Sequence, residues 1–390
     1  LYLPERVTPL RCWIAIGTAF FINGLGFSSW ASRIPTIKNQ LGLSEAMLGS
    51  VLLSLPLGSI LASFISAQIV TRIGTKKSLP VALLVNGALY VLLGLAPNIW
   101  TLALDLFLIG IFSNLISVSA NTQAVGLEAV TERQVMASLH GLWSTAGFVG
   151  AAVGSIMLGF DISPKLHFCL IYLATIGGVA LTYRWYLDSH GTPSGKRQVF
   201  IKPTATVLGL GFLAFSSMIC EGAMFDWSGV YFQTVLAAPP SQIGLGYGAF
   251  MCAMASTRFV ADRLTVKYGP RRVLTTCGLL VAAGLVLAIT SPSVLTGIAG
   301  FLLVGAGTSA VVPLVFSQAG KVTDMPPSAA IAAASTIGVI GFLLGPPLIG
   351  WIAAASSLRW SFLVIAVLGL GIAAFGRRQF ASKTGALNCW

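Results

Sequence analysis

Charge is scarce in this 390-residue chain: Asp, Glu, Lys and Arg together make up 9%, where an ordinary soluble domain carries about 25%. Hydrophobic residues make up 56%, and the mean hydropathy is +0.87. So few charges cannot cover the surface of a soluble fold this long, which excludes a cytosolic enzyme and a secreted domain. The surplus of +12 would suggest nucleic acid in a soluble chain. Here it reads as Lys and Arg retained in loops on one side of a bilayer, and no nucleic-acid partner is expected. Cysteine is sparse and scattered singly (Cys12, Cys169, Cys220, Cys252, Cys277, Cys389), with no CxxC or Cys/His spacing, so neither a disulfide framework nor a metal site is expected. No Walker loop, selectivity-filter sequence or nucleophile–base–orienter set can be assembled. The reading is therefore not an enzyme, with no cofactor.

What is abundant is long apolar runs. A spanning helix needs about 20 mostly apolar residues, and twelve runs qualify: 12–32, 46–70, 79–97, 100–125, 139–160, 167–187, 204–227, 244–264, 273–291, 294–317, 331–354 and 359–376. The first ends in Arg33–Ile34–Pro35 rather than at a small-residue cleavage site, so it is expected to stay as a span. With the N-terminus inside, basic residues such as Arg72, Lys76, Lys77, Arg271, Arg272 and Lys321 fall on the cytoplasmic side. Only Arg33, Lys38, Lys165 and Arg359 fall opposite. This asymmetry places both termini in the cytoplasm.

The chain also repeats itself at an offset of 195. Gly49 falls on Gly244, Gly74 on Gly269, Pro97 on Pro292, Gly110 on Gly305 and Gly150 on Gly345; the basic loop at 72–77 falls on 267–272. Six spans followed by six in the same orientation is a parallel repeat. The loop after span two resembles the signature of the major facilitator superfamily, Gly-x3-Asp-Arg-x-Gly-Arg-Lys, through Arg72, Gly74 and Lys76. Thr71 and Val266 stand where the signature has aspartate, and Asp262–Arg263 lies one turn earlier in the second copy. The stretch from Gly26 to Pro35, with His140–Gly141, Glu221–Gly222 and Asp226–Trp227, resembles a bacterial inner-membrane branch placed beside fucose permeases.

The resemblance implies an all-α membrane protein of twelve transmembrane helices in two six-helix pseudo-symmetric bundles, 1–187 and 204–390, joined by a cytoplasmic linker at 188–203. It also implies alternating access between the halves. Arg72, Gly74 and Lys76, with Arg258 and Asp262 in the second half, would form the conformational loops. Arg258 and Asp262, four residues apart, suit a bracing ion pair.

Polar residues inside spans are costly and mark function. Glu221 and Asp226 lie in span seven, where Ser217, Glu221 and Phe225 share one face. A carboxyl that can gain and lose a proton inside the membrane suits a proton carrier, with a hydrogen-bonded structural glutamate as the alternative. Asn114, Ser117 and Asn121 stripe span four; His140, Trp143 and Ser144 stripe span five; Asn23, Phe27 and Trp30 stripe span one. Proton coupling is expected at Glu221, Asp226 and His140. Substrate contact is expected at Asn23, Trp30, Asn114, Asn121, Trp143 and Glu221, and an outer gate at Arg33 with Asp226. Amides that hydrogen-bond and tryptophans that stack suit a hydroxyl-rich, sugar-like solute. The chain is thus read as a monomeric, proton-coupled secondary transporter of the bacterial inner membrane, whose partners are a small-molecule substrate, protons and the lipid bilayer. An exporter of amphipathic or cationic compounds is the alternative, and a transport-fold sensor or partner subunit a third reading.

Overall fold

A computed structural model of the protein describes residues 8–133, 135–188 and 203–379, apart from the side chains of Ala137, Asp262 and Ser328. Every regular element among them is helical: α1 Pro9–Gln40, α2 Glu45–Leu52, α3 Ser54–Ile73, α4 Thr75–Leu93, α5 Ile99–Thr131, α6 Met136–Gly159, α7 Pro164–Thr182, α8 Ala205–Thr234, α9 Leu245–Thr290, α10 Val294–Thr308, α11 Val311–Ala319, α12 Pro327–Ala355 and α13 Leu358–Gln379, with two short 3-10 turns. Eleven of the helical stretches are long and apolar enough to cross a membrane. The remaining predicted span, 244–264, is the first part of α9. At 46 residues α9 would run about 69 Å if straight, twice a bilayer core. Gly269, at φ 78° and ψ 152°, breaks it into two. Large apolar side chains such as Phe64, Trp100, Leu181 and Leu295 remain exposed, as lipid-facing surface requires.

Two predicted spans are each built from two helices. The second is broken at Leu53, between α2 and α3. The tenth is broken at Ser309–Ala310, between α10 and α11. Both breaks have the same cause: Pro56 and Pro313 each follow the break by three to four residues. A proline ring clashes with the carbonyl four residues back and leaves it without its helical donor.

The chain divides into two compact units at 197/198, inside the predicted linker; most of that linker lies outside the described residues. In the first unit α1 packs on α6, α3 on α5 and α4 on α7. In the second α8 packs on α12, and the two parts of α9 are served by α10 and α13. These are the same span pairings, one with five, two with four and three with six, counted within each unit.

The repeat extends to single contacts. A Cβ on Gly110 would overlap the Leu55 carbonyl oxygen, and one on Gly305 would overlap that of Phe250. Both partners stand 195 residues apart, as the glycines do. Likewise Gly74 (φ 77°, ψ 156°) adopts the backbone of Gly269, a region open essentially to glycine alone.

Candidate functional site

In the first unit the structure assembles a polar and aromatic surface from α1, α5 and α6. Asn121 Nδ2 donates to the Ser117 carbonyl at 2.8 Å, and His140 Nε2 lies 3.2 Å from Asn121 Oδ1. Since the amide oxygen can only accept, the imidazole donates there. His140 also meets Phe20 edge to face, ring centroids 5.0 Å apart, and Trp143 lies against Phe27 at 6.2 Å. Asn23 sits on α1 between these two phenylalanines and is half-buried. One helix turn-pair away, Asn114 Nδ2 reaches Ser59 Oγ at 3.5 Å while its Oδ1 has no partner among the described residues. Asn23, Asn114, Asn121, His140 and Trp143 therefore belong to one bundle and to helices in mutual contact. Trp30 differs. It is 1% exposed and its indole N–H has no partner among the described residues, so it is an interior side chain.

Arg33 is also interior, 1% exposed. Its Nε donates to His167 Nδ1 at 3.1 Å and its Nη2 to the Ile162 carbonyl at 2.7 Å. A guanidinium has only donors, so Nδ1 must accept and the ring hydrogen sits on Nε2. That Nε2 is buried with no partner among the described residues. Arg33 is thus held within its own unit by a neutral histidine and a carbonyl. The gate partner expected from sequence, Asp226, belongs to the other unit and is half-buried there. His167 is a residue that sequence reasoning missed.

The conformational-loop residues are placed simply. Arg72 is exposed at the end of α3, Lys76 is half-buried in the first turn of α4, and Gly74 forms the elbow between them. Arg258 is half-buried on α9. Asp262's side chain, and with it the expected ion pair, lies outside the described residues.

In the second unit Glu221 is 7% exposed on α8, with the Ser217 hydroxyl one turn before it as a polar neighbour of the carboxyl, while its Oε1 has no hydrogen-bond partner among the described residues. The charge of Arg258 acts on this carboxyl, so Glu221 is not remote from every cation, as its sequence surroundings suggest. Aromatic rings enclose the next turn: Phe225 contacts Phe250 at 5.8 Å, Tyr247 at 6.0 Å and Phe342, stacked, at 6.3 Å. Gly222 faces Phe342. Such surroundings leave a carboxyl with few polar neighbours, Ser217 and the charge of Arg258 among them. A carboxyl so placed can take up and release a proton, or pair with a ligand.

Comparison with known proteins adds three findings. The sequence profile described as Major Facilitator Superfamily matches residues 16–237 and 210–384. An uncharacterised MFS-type transporter of Yersinia pestis is 37% identical over 362 residues, covering 92% of this chain and 93% of the relative. Among solved structures, a nucleoside transporter superposes with a TM-score of 0.75 at 12% identity (95% and 99% of the two chains). The fucose:proton symporter of E. coli superposes at 0.61 and 14% identity (94% and 98%). At these identities the structures speak for the fold alone. Twelve apolar spans, a duplicated six-span unit with its glycine elbows, the profile match and the full-length relative converge: the chain belongs to the major facilitator superfamily.

Proposed function

We propose that this protein moves a small, hydroxyl-rich solute across the bacterial inner membrane by alternating access, acting as a monomer with both termini cytoplasmic, and that Glu221 couples the movement to protons. The observation that carries this reading is the buried Glu221 carboxyl. Its Oε1 has no hydrogen-bond partner among the described residues, and its polar neighbours are the Ser217 hydroxyl and the charge of Arg258. An ionisable group buried inside a span with so few polar neighbours is placed to serve a proton or a ligand. The amide and imidazole surface of Asn114, Asn121 and His140, with the Trp143 ring, supplies the donors, acceptors and flat face that sugar-like solutes need. A nucleoside transporter and a fucose:proton symporter, which share the fold, handle solutes of this class.

A second reading, export of lipophilic cations, is favoured by the rings of Phe225, Phe250 and Phe342 beside a carboxyl, since aromatic faces attract cations. Arg258 weighs against it, because its charge already acts on Glu221.

The test is charge movement in proteoliposomes on a solid-supported membrane, with neutral sugars, nucleosides and lipophilic cations presented in parallel. A sugar- or nucleoside-evoked current, lost in Glu221→Gln while binding persists, is the expected result. Current with lipophilic cations alone would move the protein to the exporter class. Undiminished coupled current in Glu221→Gln would remove Glu221 from the mechanism.

A further inference from the structure

Beyond α7 the chain is drawn back into the first unit. It passes through the 3-10 turn Tyr183–Trp185, and then Tyr186 and Leu187 are fully buried in the apolar cluster that holds Cys12, Ala15, Leu79 and Leu127. The Arg11 guanidinium of α1 lies over the Trp185 ring, 5.9 Å from its centroid. Asp188, the next residue, is exposed. Leu187 is therefore an anchor at the root of the segment that leads to the second unit.

One side chain grips this anchor at both of its backbone groups. Gln123 of α5, fully buried, donates from Nε2 to the Leu187 carbonyl at 2.6 Å and accepts at Oε1 from the Leu187 N–H at 2.9 Å. The same Nε2 donates to Thr75 Oγ1 at 2.7 Å. Thr75 is the first residue of α4 and directly follows the Gly74 elbow. An amide nitrogen carries two hydrogens, so one goes to the segment and one to the elbow. The amide is planar, and turning it to follow either partner draws it off the other. All three residues are fully buried, so water does not take over a broken bond, and breaking one is costly.

A second bond ties the same turn of α4 to α5, between the buried hydroxyls of Ser78 and Ser119 at 2.8 Å. At the offset of 195 the four positions Thr75, Gln123, Ser78 and Ser119 become Pro270, Gln318, Val273 and Leu314. Pro270, Val273 and Leu314 have no side-chain donor or acceptor, so neither of these two side-chain bonds can form in the second unit. The arrangement belongs to the first.

We propose that Gln123 is a joint that couples the elbow between α3 and α4 to the root of the segment leaving the first unit, so that neither moves without releasing the other. The elbow stands between Arg72 and the basic pair Lys76 and Lys77. A pull on the chain beyond Leu187 then acts on that elbow, and a shift of the elbow loosens the root by the same coupling energy. The joint is independent of Glu221 and of what the protein carries.

The experiment is hydrogen–deuterium exchange of the whole protein in detergent. It follows the peptides that hold Leu187 and those that hold Gly74 and Ser78, whose N–H groups are bonded to the Val70 and Gly74 carbonyls. Thr75→Val removes the hydroxyl and leaves Gln123 both of its bonds to Leu187. Exchange at Leu187 is nevertheless expected to quicken about tenfold, as the loss of one buried hydrogen bond implies. Gln123→Leu is expected to quicken exchange at Gly74 and Ser78 by a similar factor, although neither N–H is bonded to Gln123. Thr75→Ser keeps the hydroxyl and is expected to exchange like the wild type. Helix α12 of the second unit is the internal reference and is expected not to change. Should Gln123→Leu not fold, the contrast of Thr75→Val with Thr75→Ser decides alone. Unchanged exchange at Leu187 in Thr75→Val, unchanged exchange at the elbow in Gln123→Leu, or an equal rise in α12 overturns the proposal.

Discussion

The two units are built on one plan and equipped differently. Their helix pairings, glycine elbows and closest helix crossing coincide at the offset of 195 residues. Their polar groups do not. The first unit concentrates amides, an imidazole and an indole where α1, α5 and α6 meet, and it buries an arginine on a histidine. The second places a carboxyl among phenylalanines within reach of an arginine's charge. The first closes its basic end with its own chain, burying Tyr186 and Leu187. Duplication thus conserves what backbone contact demands and frees what side chains decide.

The comparison can be pressed hardest at the helix crossings. Gly110→Val and Gly305→Val each drive side-chain atoms into a backbone carbonyl, which cannot rotate away. Each is expected to destabilise its unit by about 3 kcal/mol or more, read as a fall in the thermal midpoint in detergent. If only one did so, the repeat of this contact would be an accident of geometry rather than a shared constraint. Next comes Gln123→Ala: Gln123 Nε2 donates to the carbonyl of buried Leu187 and its Oε1 accepts from the Leu187 N–H, and the variant loses both bonds. A loss of about 2–3 kcal/mol is expected, and Gln318→Ala is the matched variant at the repeat position of the second unit. Equal losses would show that the second site is filled like the first.

A smaller effect is expected at the elbows. Gly74→Ala and Gly269→Ala put a Cβ into a backbone region that costs about 1–3 kcal/mol, and nothing lies within 4 Å of Gly269 to add a clash. The two losses should be similar. Smallest is Arg33→Lys. It keeps the charge but loses the Nε donor to His167, at about 1 kcal/mol. His167→Ala should cost about the same or more, and the double variant less than the sum, because the pair shares one bond.

The spans, the duplication and the family were legible in the sequence because each rests on local pattern: apolar length, glycine spacing, a basic loop. The stripes on spans one, four and five were legible because helical periodicity puts residues three and four apart on one face. What periodicity cannot give is a partner on another helix. Arg33 and His167 are 134 residues apart, and Gln123 and Leu187 are 64 apart. Neither pair has a spacing that announces it. Arg33 reads as a headgroup-level cation or a gate until its bonds to His167 and Ile162 are seen. Arg258 reads as the partner of Asp262 because four residues separate them, yet its charge also acts on Glu221. The broken spans two and ten carried a signal in Pro56 and Pro313, which helix-length counting passes over because the hydropathy runs on unbroken.

The glycine crossings have a mechanical consequence. Where Gly110 lies on the Leu55 carbonyl, and Gly305 on that of Phe250, backbone meets backbone with no compressible side chain between. A helix pinned in this way can neither slide along its neighbour nor roll against it by a fraction of a turn without collision. Within each unit the second and fourth spans, and the eighth and tenth, therefore behave as riveted beams. Similar backbone approaches join Gly284 to Gly300, Gly278 to Gly369 and Gly341 to Phe215, so the pinned pairs extend through the second unit.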